Sequence, residues 1–145
     1  MNFALKYRKA KESDIEFLLD LRMKTMTEHY ATSNLPTTKE YALQRILYQF
    51  ENAHIIILND NPMGLLKINR TADNIDILQL QIHPDQQGLG IGKSILEKII
   101  RESVSDQKSV SLSVLKTNRA QKLYSSLGFK IIDEDDHSYN MKFFN

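Results

Sequence analysis

Three of the chain's five glycines fall within five residues, and this cluster restricts the local backbone more than any other feature of the sequence. Gly88, Gly90 and Gly92 lie in the segment HPDQQGLGIGKSILEKII, residues 83–100. Glycine costs about 0.5–1 kcal/mol relative to alanine inside regular structure, so a cluster needs a backbone reason. Apolar residues follow at helical spacing: Ile91, Ile95, Leu96, Ile99, Ile100 and Val104. The sequence therefore predicts a glycine-rich turn that leads into a helix ending near residue 104.

The spacing of these glycines does not fit two well-known phosphate-binding motifs. A dinucleotide-binding fingerprint requires G-x-G-x-x-G, but its last place holds Lys93 when the count starts at Gly88 and Ile95 when it starts at Gly90. A P-loop requires a glycine five residues before its GK pair, and that position holds Gln87. Both motifs fail.

The pattern that remains is Gln87-x-x-Gly90-x-Gly92 between a strand and a helix. Residues without side chains let an anion approach the backbone, and the first N–H groups and the positive dipole end of a helix bind it. The pattern favours a pyrophosphate-binding loop. A glycine-rich turn without a ligand is the alternative.

Size and composition exclude several classes of protein. With 145 residues the chain suits one core-bearing domain, and we expect a single domain over residues 1–145. Its net charge of +1 argues against nucleic acid or an anionic membrane as the principal partner. The chain has no cysteine for disulfides or thiolate catalysis, and no apolar stretch approaches the ~20 residues that span a bilayer. Because the N-terminus also lacks the apolar region of a secretory signal, we expect a cytoplasmic protein.

Turn residues and hydrophobic periodicity predict seven strands and four helices in the order β-α-α-β-β-β-α-β-α-β-β. Capping boxes at Ser13 with Glu16 and at Thr37 with Glu40 predict the starts of the first two helices. The predicted strands cover residues 5–11, 53–58, 63–69, 75–83, 109–115, 129–133 and 138–144, and the predicted helices cover 13–26, 37–50, 91–104 and 118–127.

The strand before the glycines changes its period. Ile75 and Ile77 are apolar at odd positions, whereas Leu78, Leu80 and Ile82 are apolar at even ones. A β-bulge between residues 77 and 78 explains this slip. The alternative is that residues 75–77 belong to a loop and only residues 78–83 form the strand.

Two segments together resemble a known family. IHPDQQGLGIG, residues 82–92, resembles the acetyl-CoA loop of the GNAT N-acetyltransferase superfamily, whose signature is Q/R-x-x-G-x-G/A. VLKTNRAQKLYSSLGF, residues 114–129, resembles that family's second cofactor segment, and the predicted order of elements is similar to the family plan over nearly the whole chain. The resemblance implies an α/β fold with a mixed sheet whose fourth strand carries a bulge and splays from the fifth.

The resemblance also implies acetyl-CoA as cosubstrate, with no metal. Residues 87–92 would bind the pyrophosphate, backbone groups of residues 81–83 would pair with the pantetheine, and residues 118 and 124 would face the cofactor. The implied cofactor-binding residues are Gln81, Ile82, His83, Gln87, Gly88, Leu89, Gly90, Ile91, Gly92, Lys93, Ser94, Asn118 and Tyr124. For the imidazole of His83 itself, a capping role at the end of the strand is favoured over catalysis.

Two residues are the candidates for catalytic proton transfer. Tyr124 lies on the inward face of the last predicted helix, and the resemblance implies that its phenol donates a proton to the leaving thiolate; the alternative is a core tyrosine. Asp76 lies eleven residues before Gln87, where the histone-modifying branch of the family has its glutamate, and a carboxylate can accept the proton of the amine. Ordered water is the alternative base, and Glu28 and Asp73 are further candidates.

These features together predict an acetyl-CoA-dependent N-acetyltransferase in which a primary amine of a small molecule or peptide attacks the thioester directly. The lack of cysteine argues against a covalent acetyl-enzyme. The alternatives are a non-catalytic CoA-binding regulatory module of the same fold and a P-loop-like nucleotide binder. The region around residues 28–41 and the last strands are expected to select the acceptor, and a homodimer is left open.

Overall fold

A seven-stranded mixed sheet with helices on both faces organises the computed structural model, which describes residues 4–33 and 35–145 without the side chains of residues 27–32. The strands are β1 (Leu5–Lys9), β2 (Ala53–Leu58), β3 (Asn61–Arg70), β4 (Asn74–Ile82), β5 (Ser109–Leu115), β6 (Lys130–Glu134) and β7 (Ser138–Phe143). The helices are α1 (Ile15–Thr32), α2 (Lys39–Leu47), α3 (Ile91–Ser105) and α4 (Gln121–Ser126), with short 3-10 turns at Glu12–Asp14, Phe50–Asn52 and Pro84–Gln86.

The strand order is β1-β2-β3-β4-β5-β7-β6, and among the described strands only β4 and β5 pair in parallel. This is the mixed α/β sheet that the sequence predicts, and the prediction is confirmed. Among the helices that the structure describes, none is both long and apolar enough to cross a membrane.

Apolar side chains form a core on each face of the sheet. On one face, residues of α3 such as Ile95 and Ile99 pack with the central strands and with partly buried residues of α4. On the other face, Leu18 and Leu21 of α1 pack with Ile46 of α2 and with residues of β2 and β3. Full burial of each such side chain contributes about 1.5–3 kcal/mol, so the two cores hold the helices against the sheet.

The period slip in β4 is a β-bulge. Lys67 of β3 pairs with Gln79, and the next residue of β3, Ile68, pairs with Ile77, so Leu78 is the extra residue. Because of this insertion the apolar residues on both sides of the slip pack into the same core beside α3: Ile75, Ile77, Leu80 and Ile82. The bulge prediction is confirmed, and the loop alternative is wrong because β4 begins at Asn74.

The capping box predicted at Ser13 with Glu16 forms two residues earlier, where Lys11 is the N-cap of the turn that leads into α1 and Asp14 is the N3 residue. The carboxylate of Asp14 accepts a hydrogen bond from the main-chain N–H of Lys11 at 2.8 Å and two from the guanidinium of Arg8, each at 2.8 Å. Hydrogen bonds to an ionised group are roughly twice as strong as neutral ones. The hydrogen bonds from Arg8 also lower the pKa of Asp14.

The N-cap of the second helix is displaced by one residue. The hydroxyl of Thr38, and not that of Thr37, accepts the N–H of Tyr41 at 3.2 Å, and α2 then ends at Leu47 instead of residue 50. The chain leaves the helix at the C-cap Tyr48, whose backbone is extended (ψ 120°), and Gln49 after it is left-handed (φ 48°). In α3 the predicted apolar face holds except at Val104, which is exposed near the end of the helix.

Candidate active site

The parallel strands β4 and β5 separate along their length and leave a gap in the sheet. Their pairing covers residues 74–77 of β4 and 109–112 of β5. Beyond that point β4 continues to Ile82 and β5 to Leu115, each paired only with its other neighbour. The main-chain N–H and C=O groups on this side of β4 are therefore available to an extended ligand.

The glycine loop lies at the end of β4 and leads directly into α3. Gly88 and Gly90 have φ values of 80° and 86°, which side-chain-bearing residues rarely adopt. A Cβ atom at either position, or at Gly92, would meet no other atom within 4 Å, so the surface of the loop is open. Gly90 is the N-cap of α3 and has no side chain to cap it. The N–H groups of the first turn are therefore positioned to bind an anion.

Side chains at the end of β4 hold the loop in place. The side-chain amide of Gln87 donates to the main-chain oxygen of Ile82 at 2.9 Å. The main-chain N–H of His83 donates to the oxygen of Met63 at 2.8 Å, and its Nδ1 accepts the N–H of Asp85 at 3.1 Å. The imidazole of His83 thus caps the turn, in agreement with the role favoured from the sequence.

A cleft of about 710 Å³, here called the loop cleft, runs from the glycine loop to α4. It brings together most of the residues that the family resemblance implies: Gln81, Ile82, Gln87, Gly88, Gly90, Ile91, Gly92, Lys93, Asn118 and Tyr124. The implied residues outside its lining are His83, Leu89 and Ser94. Leu89 points to solvent, and the N–H of Ser94 closes the first turn of α3 on the oxygen of Gly90.

A second cleft of about 250 Å³, here called the strand cleft, lies between the diverging strands and the helices α1 and α2. Its polar lining includes Arg22, Tyr41, Arg45 and Gln79. Residues that line both clefts include Gln81, Asn118 and Tyr124. The two clefts therefore meet beside Tyr124.

Tyr124 is largely buried at this junction and packs against the core. Its ring packs edge-on against Phe129 at a centroid distance of 6.0 Å, and burial raises the pKa of its hydroxyl. The phenol therefore remains protonated at neutral pH. Asn118 accepts the N–H of Ala120 through Oδ1 at 2.9 Å, but α4 begins at Gln121, so Asn118 caps the preceding turn and not the helix itself.

A comparison with models of protein families assigns the chain to a family. Residues 24–145 match the model of the acetyltransferase (GNAT) domain. The chain belongs to the GNAT acetyltransferase family. This match confirms the resemblance seen in the two sequence segments. A search of curated proteins found no match.

Solved structures share the GNAT fold over nearly the whole chain. The PaiA N-acetyltransferase of Thermoplasma acidophilum in complex with coenzyme A has 20% identity and a TM-score of 0.72, covering 98% of this chain and 99% of that one. An acetyltransferase of Thermus thermophilus has 19% identity and a TM-score of 0.73, covering 95% of each chain. The ribosomal-protein-S18-alanine N-acetyltransferase of Escherichia coli has 18% identity and a TM-score of 0.68, covering 96% of this chain and 92% of that one.

Asp76, predicted as general base, is not brought together with Tyr124. It lies in the part of β4 that is still paired with β5, and its carboxylate accepts a hydrogen bond from the hydroxyl of Ser111 at 3.1 Å. Neither cleft lining includes it. Asp73 precedes β4 at the opposite end from the loop, and the side chain of Glu28 lies outside the described residues.

Sequence reasoning missed the basic side chains beside the strand cleft. Arg22 is 3% exposed and Lys67 is 1% exposed, while Arg45 is half-buried. A signal was present in two cases: Lys67 interrupts an apolar strand, and Arg22 follows Leu18 by one helical turn on the buried face of α1. The described residues contain no group of three or more side chains that could hold a metal ion.

Proposed function

We propose that the chain is an acetyl-CoA-dependent N-acetyltransferase that transfers the acetyl group to a primary amine by direct attack. The observation that carries this proposal is the position of Tyr124 where the loop cleft meets the strand cleft. The loop cleft offers an anion-binding loop and the end of the free β4 edge, and the adjoining strand cleft offers polar space for an acceptor. An acetyl donor in the loop cleft and an acceptor amine in the strand cleft can therefore meet beside the phenol of Tyr124.

The residues of the loop cleft suit acetyl-CoA. The N–H groups at the start of α3 and the ammonium group of Lys93 are suited to bind a pyrophosphate, and the unpaired edge of β4 can pair with the amides of an extended pantetheine. The volume of about 710 Å³ lies within the roughly 300–1,000 Å³ typical of small-molecule sites. The related fold of the T. acidophilum protein in complex with coenzyme A supports the same assignment.

Tyr124 is the proton donor in the proposed reaction, and Gln79 and Gln81 position the amine. Bound acetyl-CoA supplies an acetyl thioester whose leaving group is a thiolate. Tyr124 holds a proton on its hydroxyl oxygen, because burial raises its pKa, and donates this proton as negative charge develops on the sulfur. Gln79 and Gln81 can orient the amine through their side-chain amides, but an amide is not a strong base.

The role of Asp76 as general base stays a prediction. Because Asp76 lies outside the lining of both clefts, the proton of the amine would reach it through water. Asp76→Asn decides between the two acceptors of this proton. A fall in turnover of about 10²–10⁴ with a shifted pH profile supports Asp76, and unchanged turnover assigns the proton to water.

The proposed activity is tested by two measurements on the whole chain. Calorimetry with acetyl-CoA, CoA and ATP is expected to show binding of the first two and not of ATP. A thiol reagent then measures release of free CoA with a panel of amines, and we expect release to depend on the amine. Binding without release for every amine supports the regulatory module instead, and failure to bind acetyl-CoA overturns the proposal.

A further inference from the structure

The strand cleft has a polar lining that suits an anionic group as well as an amine. Arg22 and Arg45 both line it, and Arg22 is nearly fully buried there. No Asp or Glu belongs to this lining among the residues that the structure describes. A cleft shaped for a polycationic amine would need carboxylates to offset the charge of its ligand.

Three buried polar atoms beside this cleft have no hydrogen-bond partner within the described part of the chain. They are Nε of Arg45, a donor, and Oε1 of Gln79 and of Gln81, both acceptors. Each unsatisfied buried group costs about 1–3 kcal/mol, so a group of three in one place points to a ligand that would pair with them. Gln81 is only 6% exposed and also lines the loop cleft, so its amide lies next to the donor side.

The end of α2 adds a third cation behind the cleft. Nζ of Lys67 donates to the main-chain oxygens of Arg45, Ile46 and Tyr48, which form the C-terminal turn of α2. The ammonium group of Lys67 is thus hydrogen-bonded to three carbonyl oxygens, whereas Nε of Arg45 has no acceptor among the described residues. Burial, with the positive charges of Arg45 and Arg22, lowers the pKa of Lys67, and the carboxylate of Glu51 partly opposes this shift.

We propose that the acceptor is a small amino acid or a close analogue, in which a primary amine and a carboxylate belong to the same molecule. The carboxylate binds Arg45 with support from the charge of Arg22, and the amine donates to the side-chain oxygens of Gln81 and Gln79 beside Tyr124. The volume of about 250 Å³ is below the roughly 300–1,000 Å³ of drug-sized sites, which suits so small an acceptor. This inference rests on the proposed N-acetyltransferase function and names its substrate class.

Acceptor pairs that differ only in the carboxylate test the inference with the wild-type protein. Alanine is compared with ethylamine, serine with ethanolamine, and valine with isobutylamine, by release of CoA. We expect kcat/KM to be at least about tenfold higher for the carboxylate-bearing member of a pair. Equal or faster reaction of the decarboxylated amines overturns the inference but leaves the activity intact. No release from any amine, despite binding of acetyl-CoA, overturns the proposed function instead.

A variant then tests whether Arg45 recognises the carboxylate. Arg45→Gln is expected to raise KM for the amino acid by about tenfold or more, with kcat/KM for the decarboxylated partner and the Kd for acetyl-CoA unchanged. Arg45→Lys keeps a charge without the forked donors, and it should recover part of the loss. Arg101→Gln, on the exposed surface of α3, is the matched control. An equal loss for both members of a pair would show a structural role and overturn the assignment.

Discussion

A Cβ atom on Gly64 would overlap the main-chain oxygen of Gln81, so β3 and β4 approach each other here more closely than any other residue at position 64 permits. Gly64 pairs with Ile82, directly before the glycine loop. The added Cβ would also lie 3.1 Å from Cδ1 of Ile56. The position of the β4 edge beside the loop cleft therefore depends on a glycine in the neighbouring strand.

Gly64→Ala is expected to displace β4 at Gln81 and Ile82. Overpacking of this kind costs about 1–3 kcal/mol, which a denaturant titration measures as a lower unfolding midpoint. Because the displaced edge is the one proposed to pair with pantetheine, calorimetry should also show weaker binding of acetyl-CoA. Gly92→Ala, where the added Cβ meets open space, is the stability control. Wild-type stability and affinity in Gly64→Ala would contradict the close approach.

Gly92→Val tests the anion-binding loop more cleanly than a change at Gly90. Gly90 has a φ of 86°, so any side chain there strains the backbone and mixes folding with binding. Gly92 has no positive φ, and a larger side chain would extend into the loop cleft. We expect the affinity for acetyl-CoA to fall by about tenfold or more, since each tenfold loss corresponds to about 1.4 kcal/mol.

The control for this experiment is the unfolding midpoint of Gly92→Val. It should stay near that of the wild type, because valine has a better helix propensity than glycine and the space around position 92 is open. If the variant folds normally and binds acetyl-CoA as the wild type does, the pyrophosphate does not lie on this loop.

Lys67 predicts a pH dependence of stability. Burial, with repulsion from Arg45 and Arg22, lowers the pKa of Lys67 from 10.5 to about 8. Between these values the unfolded chain holds a proton that the folded chain has released, so the free energy of unfolding rises with pH from about 8 to about 10.5. Below this window both states are protonated, and above it both are neutral, so Lys67 contributes no slope there.

Lys67→Met is expected to lack this contribution. Urea unfolding at a series of pH values should give a slope lower than that of the wild type by up to about 1.4 kcal/mol per pH unit within the window. Lys67→Gln keeps an uncharged NH2 group that can donate to the carbonyls of α2, and it serves if the methionine variant is too unstable. Lys98→Met, on the exposed side of α3, should keep the wild-type slope. The same slope in all variants would show that Lys67 has an ordinary pKa.

Local features of this fold were readable from the sequence because their causes are local. The spacing of the glycines predicted the loop before α3. The shift of apolar residues from odd to even positions predicted the bulge at Leu78. The cap before α1 was misplaced by two residues and that of α2 by one. For α1, the reason is that Asp14 is selected by its ion pair with Arg8, which lies in β1 and not in the helix.

The candidate site needed contacts between segments far apart in the sequence. The clefts exist because β4 leaves β5 after Ile77. The slip in alternation marks the bulge at this point, but it does not show that β4 and β5 stop pairing there. Arg22 and Arg45 reach the strand cleft from α1 and α2, and Gly64 matters only because β4 lies against it. The family resemblance supplied Tyr124, whereas the polar lining of the strand cleft required the packed structure.

The phenol of Tyr124 is the group on which the proposed chemistry depends most directly. Tyr124→Phe keeps the ring and its edge-on contact with Phe129 but removes the hydroxyl. We expect turnover to fall by at least about tenfold, because the leaving thiolate loses its proton donor, while the Kd for acetyl-CoA stays near the wild-type value.

Tyr139→Phe is the matched control for this variant, since Tyr139 is another partly buried tyrosine packed against the same core, and it lines neither cleft. It should retain wild-type turnover. Single-turnover measurements separate the acetyl-transfer step from product release, and the loss in Tyr124→Phe should appear in that step. A Tyr124→Phe protein that turns over normally but melts several degrees lower would make Tyr124 a core residue, because its hydroxyl would then serve stability and not proton transfer.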